Sequence, residues 1–272
     1  MDLNSRVQIV DVDTKEELLN YFDGISELFI DSFGKPLSKD LWEWAYQLNP
    51  AGEPLVSMAL CENKVVGHYA VIPLNLVNGT QGVDGFLSMT TMVAPDFRML
   101  KLFQILAERV YTRIESCGRP SIVFGFPNSN SAPGFVKRLG WTLLEDCSVV
   151  KIKKHQIERV KKVLQHEREA GGYRVDLRSD SVSRWRQTKP NQSWVLSGGV
   201  GIKNSSFGKD LMYVDDVDDL AEFIGDSDFN VILPVNVDEE FEVSFPYKFG
   251  FRAFNTNLAP KFIVEMAMSD IF

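Results

Sequence analysis

The side chains best placed for chemistry lie between Thr90 and Trp141. Arg98 and Lys101 follow a predicted strand and turn, and an amphipathic helix is predicted over residues 101–117. The first amide groups of a helix have no partner within it, and the helix dipole makes that end positive. Two cationic side chains beside such amides favour an anionic ligand. The expected ligand is a phosphorylated molecule.

A second apolar strand is predicted at residues 121–126. It leads through Asn128 and Ser131 into a short helix that ends at Leu139-Gly140-Trp141. Two adjacent strands that each feed a helix N-terminus place both termini on one side of a sheet. The side chains of Asn128 and Ser131 can cap the second helix or hydrogen-bond a ligand, and the sequence leaves both roles open.

Two segments carry a family resemblance: Val93-x-Pro95-Asp96-Phe97-Arg98 and Phe135-Val136-Lys137-Arg138-Leu139-Gly140-Trp141. Together with the order of elements they resemble the GNAT superfamily of acyl-CoA-dependent N-acyltransferases, over residues 7–152. The resemblance implies a strand with a splayed end that receives the pantetheine arm of acetyl-CoA, and a following loop that wraps the pyrophosphate. The implied acetyl-CoA-binding residues are Met92, Val93, Arg98, Met99, Leu100, Lys101, Leu102, Phe103, Asn128 and Ser131.

Three residues depart from the family pattern. Met99 and Lys101 stand where the phosphate loop usually has glycine, and Val136 stands where the family usually has a general-acid tyrosine. An active enzyme then requires that Lys101 keep a negative φ and direct its side chain outward or onto a phosphate. The alternative is a GNAT-like binding or interaction protein that has lost acyl-CoA.

The resemblance implies direct transfer of an acetyl group to an amine, with a backbone amide near Val93 polarising the thioester. The attacking amine must lose a proton, and the candidate bases are His68 and Asp84. A hydrogen-bonded, partly buried histidine is the competing interpretation of His68. Further similarity is to members from bacterial surface-polysaccharide gene clusters, which suggests an amino sugar or sugar nucleotide as the acceptor. This further similarity is carried by Trp44-x-Tyr46-x-x-Asn49-Pro50-x-Gly52, Gly67-His68-Tyr69 and Phe126-Pro127-Asn128.

Composition limits the function classes. The chain has 272 residues and a formal net charge of -8, and its isoelectric point is near 5.0. These values disfavour nucleic acid as a partner and so also a transferase that uses aminoacyl-tRNA. No apolar run reaches the ~18 residues of a membrane span, the acidic start is unlike a signal peptide, and three scattered cysteines fit a reduced, cytoplasmic protein. We expect no metal and no membrane partner, and the sequence is compatible with a homodimer.

The predicted fold class is α/β (α+β): a GNAT-like mixed, mostly antiparallel central sheet flanked by helices, followed by a second smaller GNAT-like lobe. Periodicity and charge divide the chain into residues 1–153, a charged helical connector at 154–172 and a second lobe at 173–272. The resemblance implies that the first part is a GNAT-like acyl-CoA-binding domain and the last a degenerate GNAT-like lobe. The opening of that lobe, residues 184–190, parallels residues 44–50, since both run from a tryptophan-containing helix to a proline. An acidic run at 215–219 is interpreted as a helix N-terminus rather than a metal site.

Overall fold

The computed structural model describes residues 6–144, 147–205, 208–225, 227–234, 241–256 and 259–269. The strands of the described residues are β1 (Val7–Val12), β2 (Leu55–Cys61), β3 (Lys64–Pro73), β4 (Leu76–Asn78), β5 (Gln81–Val93), β6 (Ser121–Gly125), β7 (Thr142–Leu144), β8 (Cys147–Ile152), β9 (Arg174–Val175), β10 (Val195–Ser197), β11 (Val200–Ser205), β12 (Gly208–Val214), β13 (Phe229–Pro234), β14 (Glu242–Pro246) and β15 (Phe249–Phe254). The α-helices are α1 (Lys15–Leu19), α2 (Phe22–Phe33), α3 (Lys39–Trp42), α4 (Leu102–Ser116), α5 (Ala132–Leu139), α6 (Ile157–Ala170), α7 (Asp180–Gln187) and α8 (Leu220–Ile224). A π-helical turn follows α3 at Glu43–Gln47, and a 3-10 turn precedes α4 at Pro95–Leu100.

The first sheet has the strand order β1-β2-β3-β5-β6-β15-β7. All neighbours along this path are antiparallel except β5 and β6, which α4 connects as a parallel pair. The predicted mixed, mostly antiparallel sheet flanked by helices is therefore confirmed. The strand β3 ends at Pro73, which has no N–H to continue a ladder, and β4 forms a separate hairpin with β5.

Helices cover both faces of this sheet. A stripe of α4 side chains at i, i+4 spacing is buried against β3, and it consists of Leu102, Leu106, Val110 and Ile114. At Gly67 of β3 an added Cβ would lie 3.0 Å from Leu106 Cδ1, so glycine permits the close approach of α4. Because strand side chains alternate, Tyr69 also faces α4 and His68 faces the opposite side, towards Tyr46 of the π-helical turn.

The second sheet has the order β10-β11-β12-β13-β8-β14, and its single parallel pair is β12 and β13. The two sheets exchange strands. β8 precedes α6 in sequence but lies between β13 and β14 of the second sheet. β15 follows the second sheet in sequence but lies between β6 and β7 of the first. Each sheet is thus completed by a strand from the other half of the chain. The helix α6 lies within the predicted connector.

A pair of tryptophans joins the two halves. Trp44 and Trp185 stack with their ring centroids 4.7 Å apart and their planes 17° from parallel. Each indole Nε1 donates a hydrogen bond of 2.8 Å to the backbone carbonyl of the other residue. The contact is therefore reciprocal. These are the two segments whose sequences parallel each other.

Candidate functional site

A split opens between the two parallel strands of the first sheet. The pairing of β5 with β6 runs from Asp84 opposite Ser121 to Leu87 opposite Phe124 and ends there. β5 continues to Val93 and keeps its pairing with β3 on the other side. Its remaining edge offers backbone N–H and C=O groups that a linear polar molecule could pair with as an additional strand would. The split is the predicted splay.

A β-bulge lies inside this split. The register between β3 and β5 shifts between His68 and Ala70, and Thr90 on the bulge has φ 54°. A non-glycine residue in the left-handed region costs about 1–2 kcal/mol, so the surrounding structure must hold it there. The Thr90 carbonyl oxygen lies 2.7 Å from His68 Nδ1. The bulge therefore fixes the orientation of the predicted base.

The turn after β5 carries the predicted phosphate loop. Pro95–Leu100 forms a 3-10 turn, and Lys101 follows it with φ 55° and ψ 23° as the first residue before α4. The expected negative φ at Lys101 is wrong: the loop keeps a glycine-like backbone with lysine in it. In the described residues, the amides of Lys101, Leu102 and Phe103 donate to no backbone carbonyl. They are available to an anion at the positive end of a 15-residue helix.

Other predicted cofactor residues lie around this mouth. Arg98 is exposed, and its Nε donates to the Val93 carbonyl at 3.4 Å. Met99 is 89% exposed, whereas Met92 is buried beside His68 on the face opposite α4. Leu100 and Phe103 pack against the core as partly buried side chains. The structure thus gathers the segment from Met92 to Phe103 along one path, from the split to the N-terminus of α4.

The predicted residues before α5 are used differently. Asn128 Oδ1 accepts hydrogen bonds from the amides of Asn130 and Ser131, both at 3.0 Å, and Ser131 Oγ donates to the Asn128 carbonyl at 3.3 Å. The amides of Ala132 and Gly134 also donate to carbonyls of this turn. Both predicted side chains therefore close the turn into α5. They lie in the loop after β6, on the other side of the split.

His68 is 1% exposed. Burial lowers its pKa to about 4, and the Thr90 carbonyl offsets part of this effect. The ring is neutral at pH 7, and the Thr90 contact assigns the proton to Nδ1. Nε2 is then an acceptor, and it has no hydrogen-bond partner among the described residues. The structure thus presents a neutral imidazole with one lone pair unused.

The two predicted bases are not brought together. Asp84 lies at the start of the parallel pairing and forms a 2.9 Å ion pair with Arg119. His68 is opposite Met92, eight residues further along β5. At ~3.3 Å per residue, Asp84 is roughly 25 Å along the strand from that point. One amine cannot contact both groups.

Sequence reasoning missed a buried row of polar side chains on the α4 side of the split. Trp141 Nε1 donates to Tyr111 Oη at 2.8 Å, and Tyr111 Oη lies 2.7 Å from Tyr69 Oη. Ser88 Oγ donates to Tyr69 Oη at 3.2 Å. The available signal was Tyr111 itself, a tyrosine on the apolar stripe of a helix, since a buried phenol requires a partner. Its partners come from three other segments and could not be identified from spacing.

The remaining acidic residues offer no metal centre. Among the residues that the structure describes, no group of three or more His, Cys, Asp or Glu side chains is placed to hold a metal ion. Asp215 in the acidic run pairs with Arg168 and Arg174 at 3.2 and 3.0 Å. Asp219 precedes α8, as the interpretation of a helix N-terminus requires.

In the described ranges, no helix combines the length and apolarity needed to cross a membrane.

Comparison with known proteins supports the same fold. Residues 18–144 match the family model described as an acetyltransferase (GNAT) domain. A search among curated proteins finds no significant match. Similar solved structures include a GCN5-related N-acetyltransferase from Kribbella flavida, at 13% identity and a TM-score of 0.61, over 92% of this chain and 72% of that one.

Two further crystal structures are similar over both halves of the chain. A GCN5-related N-acetyltransferase from Anabaena variabilis has 13% identity and a TM-score of 0.58, over 90% of this chain and 72% of that one. A conserved protein from Enterococcus faecalis, described as a probable N-acyltransferase, has 13% identity and a TM-score of 0.59 over the same shares. At this identity the likeness concerns the fold. The chain thus has a GNAT-like fold, with its match to the acetyltransferase (GNAT) domain at residues 18–144.

Proposed function

We propose that the chain transfers an acetyl group from acetyl-CoA to the amine of a small acceptor. One observation carries the proposal: the split between β5 and β6 leads directly to the free amides of Lys101, Leu102 and Phe103. A linear polar arm that ends in a diphosphate matches this path. Its amides would pair with the unpaired edge of β5, and its phosphates would meet the α4 N-terminus.

The conformation of Lys101 is not the negative φ expected of an active enzyme, but it is compatible with this ligand. The left-handed backbone conformation of Lys101 lets the chain turn sharply into α4. Glycine allows the same turn in the family loop. The side chain is exposed rather than buried in the loop. Its ammonium, together with the Arg98 guanidinium, would add positive charge beside the amides. The loop is therefore shaped for an anion despite the loss of glycine.

The chemistry follows from the two faces of the sheet. The amine nitrogen attacks the thioester carbonyl carbon, a backbone amide on the unpaired edge of β5 between Ser88 and Val93 stabilises the oxyanion, and the carbon–sulfur bond breaks with its electron pair on sulfur. The amine proton must go to a base, and we give this role to Nε2 of His68, which faces the side opposite α4. Its low pKa leaves it unprotonated at neutral pH, so Nε2 can accept a proton, but it also makes the ring a weak base. Because Nε2 is buried, the amine must reach it from inside the split.

The acceptor is expected to be small because the second half of the chain covers the end of β6. Tyr247, in the β14–β15 connection, stacks on Phe126 with ring centroids 4.8 Å apart. An amino sugar or sugar nucleotide is the acceptor that the sequence resemblance favours. A cytoplasmic location and a homodimer remain predictions.

We also propose that residues 173–272 are a degenerate second GNAT-like half. Each sheet has one parallel pair, and each receives its completing strand from the other half. The reciprocal hydrogen bonds of Trp44 and Trp185 relate the two halves in the same way. A duplicated ancestral fold accounts for all three observations.

The alternative function is a non-catalytic GNAT-like binding protein, and one observation favours it. Val136 is 41% exposed on α5 and cannot protonate a leaving thiolate. Calorimetric titration with acetyl-CoA, followed by detection of released thiol with a panel of small amines, separates the two. Binding with amine-dependent thiol release is the expected result. Binding of acetyl-CoA without thiol release with any of the amines would support the alternative. Absence of acetyl-CoA binding would refute the proposed ligand.

A further inference from the structure

A row of four polar side chains connects the core to the split. Trp141, Tyr111 and Tyr69 are buried, whereas Ser88 at the other end is partly exposed. Ser88 is the first residue of β5 beyond its pairing with β6. Its side chain points to the α4 side, since it bonds Tyr69 there. The row therefore ends at the closed end of the split, beside Gly125 of β6. The thiol end of the proposed ligand would reach this point, since its phosphates lie at the other end, by α4.

The inner end of the row is fixed by packing. Trp141 lies on two glycines of neighbouring strands: a Cβ on Gly125 would come within 3.5 Å of the indole, and a Cβ on Gly250 within 2.9 Å. Arg252 Nη1 donates a hydrogen bond of 2.8 Å to the Leu139 carbonyl, and its Cζ lies 4.9 Å from the centroid of the Tyr111 ring. The indole and the phenol are thus held in place by elements from both halves of the chain.

The row contains one more proton than it can use. Three hydroxyls and one indole N–H supply four donor protons, but three contacts join them. Burial raises the pKa of Tyr111 to about 12 and that of Tyr69 well above 10, so both phenols keep their protons at neutral pH. Within the described residues, no acceptor bonds the fourth proton. A buried donor without a partner costs about 1–3 kcal/mol.

The indole sets the direction in which the surplus proton can be used. Trp141 can only donate, so rotation of the hydroxyl groups lets Tyr111 donate a hydrogen bond to Tyr69 and Tyr69 donate one to Ser88. This arrangement reverses the bond from Ser88 to Tyr69 that the structure has. In that arrangement all three contacts are kept, and the Ser88 proton points out of the row. An acceptor in the split would stabilise this arrangement, because it pairs the fourth proton.

We infer that Ser88 is a catalytic hydrogen-bond donor to the coenzyme A sulfur, with Tyr69 and Tyr111 as positioning residues. The inference rests on the proposed function. When the carbon–sulfur bond breaks, the electron pair stays on sulfur, and the Ser88 proton remains on its oxygen and hydrogen-bonds the thiolate. The thiolate takes its proton later from water. The donor thereby replaces the acid that Val136 cannot supply.

The test measures the thiol pKa of coenzyme A bound to the protein, from thiolate absorbance during a pH titration. Ser88→Ala should raise this pKa by about one to two units, because a hydrogen bond to a charged group is lost. It should lower kcat about 10- to 100-fold and leave KM for acetyl-CoA unchanged. Tyr111→Phe should shift the same thiol pKa in the same direction by a smaller amount.

Two variants serve as controls. Ser88→Thr keeps the hydroxyl and should retain the wild-type thiol pKa, whereas Ser121→Ala removes a buried serine from the paired end of β6 and should change neither quantity. If coenzyme A binds and Ser88→Ala leaves thiol pKa and kcat at wild-type values, the inference is overturned and the proposed function stands. If the wild-type protein does not bind coenzyme A or acetyl-CoA, both fail.

Discussion

Replacement of Lys101 tests whether the phosphate loop is shaped for a ligand. Its backbone has φ 55° and ψ 23°, a conformation that costs a residue with a Cβ about 1–2 kcal/mol. Lys101→Gly removes this cost and the charge, but it adds about 0.4–1 kcal/mol of entropy to the unfolded chain. Lys101→Ala removes the charge and keeps the backbone cost. The glycine variant should therefore be more stable than the alanine variant by about 1 kcal/mol.

The affinity for acetyl-CoA should depend on the charge of residue 101 and not on its backbone conformation. An exposed ion pair contributes up to about 1 kcal/mol, so both variants should bind acetyl-CoA about fivefold more weakly than wild type. Lys101→Arg keeps the charge and should bind as wild type does. Urea denaturation gives the free energies of unfolding, and calorimetric titration gives the affinities.

Two results would refute this reasoning. Equal stability of the glycine and alanine variants would mean that the left-handed conformation is not occupied in solution. A wild type without measurable affinity, together with clear binding by Lys101→Gly, would mean that the lysine closes the loop. The chain would then be a GNAT-like protein that has lost its cofactor, and the proposed transfer reaction would be wrong.

Three further predictions concern the site and its support. Arg98→Ala should weaken acetyl-CoA binding by about one to two decades, since a charged phosphate contact is worth ~1.5–3 kcal/mol; unchanged affinity in titration calorimetry would place the phosphates elsewhere. The pKa of His68 is about 4 in the folded protein and 6.5 in the unfolded chain, so the unfolded chain binds more protons between these pH values. His68 should therefore lower the free energy of unfolding as pH falls from 6.5 to 4, by about 3 kcal/mol at most. His68→Gln should remove this part of the slope in denaturant titrations at several pH values, and an identical slope would contradict the burial of the ring. Gly250→Ala should destabilise the fold by about 1–3 kcal/mol in thermal unfolding, because its Cβ would lie 2.6 Å from Leu143 Cδ2 and 2.9 Å from Trp141, whereas Gly79→Ala, with no atom within 4 Å, tests the strain of a positive φ without the clash.

Local pattern was sufficient for the elements around the split. The amphipathic repeat predicted α4 over residues 101–117, and the structure has it at Leu102–Ser116. The apolar strand predicted at residues 121–126 is β6, at Ser121–Gly125. These features depend on residues close together in sequence, where side-chain periodicity and turn residues act directly.

The site required the tertiary structure. His68 and Asp84 are both plausible bases as residue types, but the register of β5 places them at different ends of the strand. Lys101 has a backbone that its residue type disfavours, and only the packing of the loop against α4 and β5 decides it. A sequence pattern states what a residue prefers, whereas the sum of surrounding contacts determines what it adopts.

The sequence by itself predicted a mixed α/β fold with two lobes, and it singled out the residues before α4 as the proposed contact of a phosphorylated ligand. Tertiary structure decided which strands complete each sheet: β8 and β15 pair across the two halves, with segments that are distant in the chain. It also assembled the row from Ser88 to Trp141, whose members come from β5, β3, α4 and the residue after α5. Strand pairing and buried hydrogen bonds are selected by the burial of whole surfaces and the satisfaction of every polar group, and these conditions exist only in the folded chain.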